Sequence, residues 1–310
     1  MKTLSLLFLV LAPLLGLARG AAPRAEKLRV VTTLPDLADL VREIGGERVD
    51  VQSLYKGKEN THALTAKPSH LVAMSKADLF VQVGLSLEAS FVPGLMESAR
   101  NARIQPGAPG FVNVSEGWEA MEVPESLSRK AGDVHPQGNP HMNLDPRGGA
   151  FMAERILAGL VRVDPAGKEE FERRHAELAK KLVEARARWD ALGQAWKGKK
   201  VVVYHQEYDY LAAYHGLEIT GKIEPKPGIP PTPNHVAELI AAMKSEHTDA
   251  ILSAPWSNNE TVERIAEASG VKVAELPNMC GGIPGTDTWI AMMDLLHQRV
   301  GEVLGGAPAR

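Results

Sequence analysis

Phe171, His175, Leu178, Leu182, Ala185, Trp189, Leu192 and Trp196 recur at steps of four and three, which makes them one face of a single long helix. Asp164 followed by Pro165 is a start signal, an acidic N-cap before a proline at the first helical position. The sequence "KGKK" ends the pattern. A helix over 164–197 would have about 30 residues and a length of roughly 45 Å. That is enough to run down the side of two domains, so whatever precedes and follows it must fold as two bodies.

Both flanks support this. From Leu28, "LRVVTTL" leads into the helical "PDLADLVREIGG", then "VDVQSLY", then "KPSHLVAMSKADLFVQVG", a short helix with Pro68 near its first turn and a strand. After the long helix, "KVVVYH", "YDYLAAYHG", "LEITG" and "TPNHVAELIAAMKSEH" resume the alternation, and "AILSA", "NNETVERIAEASG", "VKVAEL" and "TDTWIAMMDLLHQRVGEVL" complete it. Strands alternating with helices predict parallel sheets covered by helices. The expected fold is therefore α/β, with an N-terminal lobe over 28–150, the linker helix over 164–197 and a C-terminal lobe over 199–310. Residues 115–149 break the grammar. They are rich in Gly, Pro, Ser and charge, and a loop that long in a folded protein is functional or mobile.

The first 20 residues read as a cleaved export signal. Lys2 is followed by an apolar run too short to span a bilayer and interrupted by Pro13, then by small residues suited to cleavage. The only cysteine is Cys280, so no internal disulfide can form and no cysteine stands near the cut to carry a lipid. A soluble, exported, unanchored chain points to the periplasm, with a monomer as the default. With 35 basic against 38 acidic residues and no basic run, nucleic acid is not an expected partner.

Ten histidines invite a metal reading, and position discriminates among them. His175 lies on the long stripe as a packing or rim residue. His215 ends a helix, where partial positive charge is favourable. His235, His247 and His297 fall in or at the end of amphipathic helices and read as solvated faces. Three others are placed differently. His205 ends the strand "VVVYH", and ligands of open α/β sheets bind beyond the carboxyl ends of strands. His62 follows the strand "VDVQSLY" and emerges from the same kind of edge. His141 sits between two prolines in "GNPHMNLDP", a loop too stiff to wander. Two loops of the first lobe and one strand end of the second can meet in a cleft, and three neutral imidazoles suit zinc. His70 and His135 are intermediate. The first can position the His62 loop, and the second can support the site or bind transiently.

Taken together, "HALTAKPSHLVAMSKADLFVQVGLSLE", "GNPHMNLDP", "VVVYHQEYDYLAAYHGLE" and "IEPKPGIPPTPNHVAELI" resemble the metal-binding subunits of zinc and manganese ABC importers, the cluster A-I solute-binding proteins of zinc-uptake type. The resemblance covers almost all of the chain after residue 20. It implies two α/β lobes bridged by a rigid helix, one metal buried between them, and delivery of that metal to an inner-membrane ABC permease. It places the first three metal ligands at His62, His141 and His205, and a histidine in the third position favours Zn²⁺ over the harder manganese. The fourth position departs from the pattern. Where the family commonly has Asp, this chain has Asn278 in "NMCGG". A water, Glu207, His135 or Cys280 can take that place, or Cys280 can be a small buried hydrophobe and Glu207 an exposed residue at a helix start. The histidine-rich loop of some members is missing, since 115–138 holds only His135.

Rival functions remain at this stage. Three histidines and a water are also a catalytic zinc pattern, with Glu207 as the one candidate general base of a secreted zinc-dependent hydrolase. Against it, the chain has no H-E-x-x-H, G-x-S-x-G or Walker sequence. A binder of metal chelates or of an adhesion partner would want an aromatic cleft, and aromatics are only 5% of the chain. A manganese- or iron-specific member of the same class is the third alternative.

Overall fold

The computed structural model describes residues 26–62, 64–124, 135–226 and 228–306. The expected export segment 1–20 and residues 125–134 of the Gly- and Pro-rich stretch lie outside these. Two parallel sheets organise the described chain, and both are wound the same way. The first holds β1 (Leu28–Thr32), β2 (Val49–Ser53), β3 (Leu79–Gln82) and β4 (Phe111–Asn113) in the order 2-1-3-4. The second holds β5 (Lys200–Val203), β6 (Glu218–Lys222), β7 (Ala250–Ser253) and β8 (Lys272–Glu275) in the order 6-5-7-8, the same arrangement repeated. Parallel neighbours cannot be joined by hairpins, so each connection crosses a face of the sheet. Helices α1 (Pro35–Gly45), α2 (Pro68–Lys76) and α3 (Val92–Ala99) serve the first sheet, and α4 (Gly148–Val163) packs against β3 and β4. Helix α5 (Lys168–Gly193) is the linker, and α6 (Asp209–His215), α7 (Pro233–Glu246), α8 (Asn259–Ser269) and α9 (Trp289–Leu304) cover the second sheet. Burial on both faces explains why β3 and β7 read as continuous apolar runs rather than alternating ones.

The linker is shorter than its sequence pattern suggests. Asp164 does not cap it. Its carboxylate instead accepts from Nε (2.8 Å) and Nη2 (2.6 Å) of Arg48, and Pro165–Gly167 form a 3-10 turn before the helix starts. The helix has 26 residues, about 39 Å, and Phe171, Leu178, Leu182, Ala185, Trp189 and Leu192 are its buried stripe. It packs on α1 and α4 at one end and α9 at the other. Helix α4, which the sequence reading passes over, precedes that turn.

The lobes are also joined directly. Asp36 in α1 accepts from Asn143 Nδ2 and from the Cys280 amide, each at 3.1 Å, and Asp39 accepts from the Trp289 amide at 2.8 Å. Burial pushes both carboxyls up to about 6. One apolar core accordingly runs from the first sheet along α5 into the inner face of the second, and a smaller cluster around Val202, Ile251 and Ile265 fills the outer face.

A second departure concerns His297. The amphipathic pattern puts it on a solvated face, whereas in the structure it is fully buried, stacked on Trp189 with ring centroids 5.0 Å apart. Its Nδ1 donates to the Met293 carbonyl at 2.6 Å, which leaves Nε2 bare to accept from Nε2–H of His215 at 3.0 Å. Gly193 makes room for this pair, because a Cβ there would lie 2.0 Å from Nδ1 of His215.

Candidate metal centre

His205 leaves the carboxyl end of β5 in extended conformation and starts the 3-10 turn Gln206–Tyr208. Its Nδ1 lies 2.8 Å from Oε2 of Glu224, and the other oxygen of Glu224 accepts from the Gly228 amide at 3.1 Å. With Nδ1–H given to the carboxylate, Nε2 is the free, electron-rich nitrogen. Glu224 went unread in the sequence. It follows β6, the strand beside β5, so the edge rule that singles out His205 reaches it as well.

His141 precedes the 3-10 turn Met142–Leu144, and its amide donates to Asn139 Oδ1 at 2.9 Å. His62 lies on the loop between β2 and α2. Tyr55 OH holds the Thr61 carbonyl at 2.5 Å, and the His62 amide donates to Asn60 Oδ1 at 2.9 Å. His70 is buried at the start of α2, where its Nδ1 accepts from the Lys67 amide at 3.3 Å and closes the end of the same loop.

The structure brings these three imidazoles together. His62, His141 and His205 each offer a ring nitrogen, all within 4.8 Å of one another, and their ring centroids are 5.0 to 5.5 Å apart. All three Nε2 atoms are buried and have no hydrogen-bond partner. Leaving such a group unsatisfied costs about 1–3 kcal/mol, so three in one place mark a site built for something to occupy. A tetrahedral ion 2.0–2.1 Å from each nitrogen needs them about 3.4 Å apart. Burial, and then the neighbouring imidazoles, hold His62 and His141 well below the usual histidine range, so both are neutral and able to ligate near pH 7.

Among the described residues, no further His, Cys, Asp or Glu joins this set. Glu207 is not the exposed helix-start residue expected from its neighbours. It is fully buried, accepts from Trp256 Nε1 at 2.5 Å, and burial pushes it up to about 8. Cys280 is buried, and burial with the nearby Asp36 keeps its thiol protonated, as a small hydrophobe rather than a thiolate. His135 stands beside His62, ring centroids 5.0 Å apart, and both line a cavity of about 170 Å³ with Leu87, Ala89 and Ser90. Asn278 is buried with neither side-chain atom hydrogen-bonded, while its carbonyl accepts from Asn143.

Comparison with known proteins places this architecture. Residues 30–301 match the family described as zinc-uptake complex component A, periplasmic. The high-affinity zinc uptake system protein ZnuA of Bacillus subtilis (strain 168) is 25% identical over 287 residues, 91% of this chain and 88% of its own length. The iron ABC transporter substrate-binding lipoprotein MtsA of Streptococcus pyogenes serotype M1 is 24% identical over 255 residues, 81% of this chain and 79% of its own. A crystal structure of ZnuA superposes with a TM-score of 0.76 at 21% identity, covering 90% of this chain and 100% of that one, which shows a shared fold. By its name the MtsA relative is the substrate-binding part of an ABC transporter. The two repeated lobes, the linker helix and a family match that spans nearly all of the described residues lead to one conclusion: the chain belongs to the zinc-uptake complex component A family, the substrate-binding proteins of metal ABC transporters.

Proposed function

We propose that this chain captures one Zn²⁺ with His62, His141 and His205, in the cleft between a lobe over 28–150 and a lobe over 199–310, and delivers it to an inner-membrane ABC permease. The observation that carries this reading is the set of three buried, partnerless Nε2 atoms, one of them backed by a carboxylate. An all-imidazole donor set suits zinc better than manganese. Water, His135 beside His62 or the unpartnered Asn278 amide completes the coordination, and neither Glu207 nor Cys280 takes part. The ion is bound and released without turnover, so the hydrolase alternative is set aside. In the same reading residues 1–20 are removed on export, and the chain works in the periplasm as a monomer without a lipid anchor.

The test is competitive loading. Stripped protein is equilibrated with limiting zinc, manganese and ferrous iron together, and its metal content is measured by elemental analysis. About one zinc per chain is expected. Uptake of iron, for which the MtsA relative is named, or of manganese would overturn the choice of ion. Glu224→Gln supplies a finer check, because an amide makes His205 a poorer donor than a carboxylate does. Its zinc affinity should fall by about 10–100-fold in a chelator competition. An unchanged affinity would mean that the carboxylate only fills space.

A further inference from the structure

We infer that Asn139 is a positioning residue that fixes His141 and His205 to each other as one half of the site, leaving His62 as the ligand that moves. The inference rests on the zinc reading above. Asn139 is 1% exposed, and every polar group it has is committed. Oδ1 accepts from the His141 amide at 2.9 Å, and Nδ2 donates to the Gln206 carbonyl and to Glu122 Oε2, each at 2.8 Å. Its own amide donates to the Met121 carbonyl at 2.7 Å, and its carbonyl accepts from Tyr210 OH at 2.7 Å. Gln206 follows His205 directly, and His141 lies two residues beyond Asn139. One side-chain amide therefore bridges the main chain beside two ligands that are far apart in sequence.

The rest of that segment is fastened on the same side. Tyr210 OH also accepts from the Met121 amide at 3.1 Å, and Glu122 accepts from Lys222 Nζ at 2.7 Å, which reaches Asp209 at 2.8 Å as well. Tyr210 and Asp209 belong to α6 and Lys222 to β6, so a segment that precedes the linker is bolted to the lobe that follows it. The His62 loop is held differently. Its bonds near the histidine come from within the loop, at Asn60 and Tyr55. It meets the other lobe by close packing at Gly57, where a Cβ would lie 2.2 Å from the Gly281 carbonyl carbon and the Gly282 nitrogen. His62 is also the one of the three ligands that lines the 170 Å³ cavity.

The experiment uses Co²⁺ as a spectroscopic probe and Zn²⁺ for kinetics. Asn139→Ala should weaken zinc binding by about 10–100-fold, with most of the loss in faster release to a chelator, and should alter the cobalt d–d bands. Tyr210→Phe, which removes one bond to Asn139 and leaves its side chain in place, should move release and spectrum the same way by less. A merely structural role would lower the melting temperature of both variants while leaving the cobalt spectrum and the release rate as in the wild type, and that result would overturn the inference. Amide exchange on the wild type is the second arm. Zinc should protect residues 56–62 more than residues 141–144 or 205–208, and the reverse order would overturn His62 as the moving ligand. A wild-type chain that takes up neither metal would bring down the zinc reading itself, and this inference with it.

Discussion

Zinc binding in His205→Ala is expected to be weaker by two to three orders of magnitude, measured by chelator competition. Zinc held by a full set of protein ligands is worth about 10–16 kcal/mol in small structural sites, so one ligand of four accounts for about 2.5–4 kcal/mol. The substitution also strips Glu224 of its imidazole partner, and a carboxylate that is 8% exposed is costly to leave with only the Gly228 amide on its other oxygen. His141→Ala should behave alike. His247→Ala, on an exposed helix end, is the control and should bind as the wild type does. Retention of zinc within about threefold in His205→Ala would sink the three-histidine site, because no ligand contributes so little.

The second large effect is on stability in acid. His215 and His297 share one hydrogen bond in an apolar setting of Trp189 and Trp196. Burial lowers His215 to about 4 and His297 to about 3, against 6.5 for the free side chain. Between those values and 6.5 the unfolded chain holds more protons than the folded one. Stability therefore rises with pH across that window, is complete above 6.5, and is lost as pH falls towards 4 and below. For His215 alone the loss is on the order of 3 kcal/mol. The buried carboxyls act with the opposite sign: Glu88 and Asp209, each pushed up to about 7, oppose folding as pH climbs through the ordinary carboxylate range. The diagnostic is therefore a difference. His215→Gln keeps a donor for His297 and removes one titration, so denaturant melts of the variant and the wild type, both metal-free, should converge as pH drops from 6.5 to 4. Parallel curves would show that the pair does not stay neutral in the folded chain.

Much of the architecture was legible in the sequence because its signals are local. Val- and Leu-rich runs bounded by turn residues marked β1, β5 and β7, and the edge rule put His62 and His205 beyond strand ends, where they lie. What escaped depends on partners remote in sequence. Helix α4 opens on two glycines at the end of the stretch read as loop and has no side-chain cap, so its start carries no local signal, yet Gly149 is required because a Cβ would sit 2.3 Å from the Trp289 ring. Asp164 has every local mark of an N-cap and is diverted by Arg48, 116 residues earlier in the chain. His297 has an amphipathic neighbourhood, but the surface it faces is the tryptophan face of α5. Glu207 is buried by Trp256, a residue in a loop with no periodicity to betray it.

The linker and the Asp36 and Asp39 bonds across the lobes have a consequence for time. A protein that opens on a hinge can shed its cargo whenever thermal motion swings it wide. Here one core and one helix span both halves, so a wide swing would have to break that core, and in the zinc reading residence is set by the bonds to the ion and by the groups that hold its ligands in place. At nanomolar affinity and a capture rate of about 10⁷ M⁻¹s⁻¹, the ion would stay for about a hundred seconds. A transporter that cycles faster than this cannot wait for its supplier to let go, so the stroke that empties the cage has to come from the transporter.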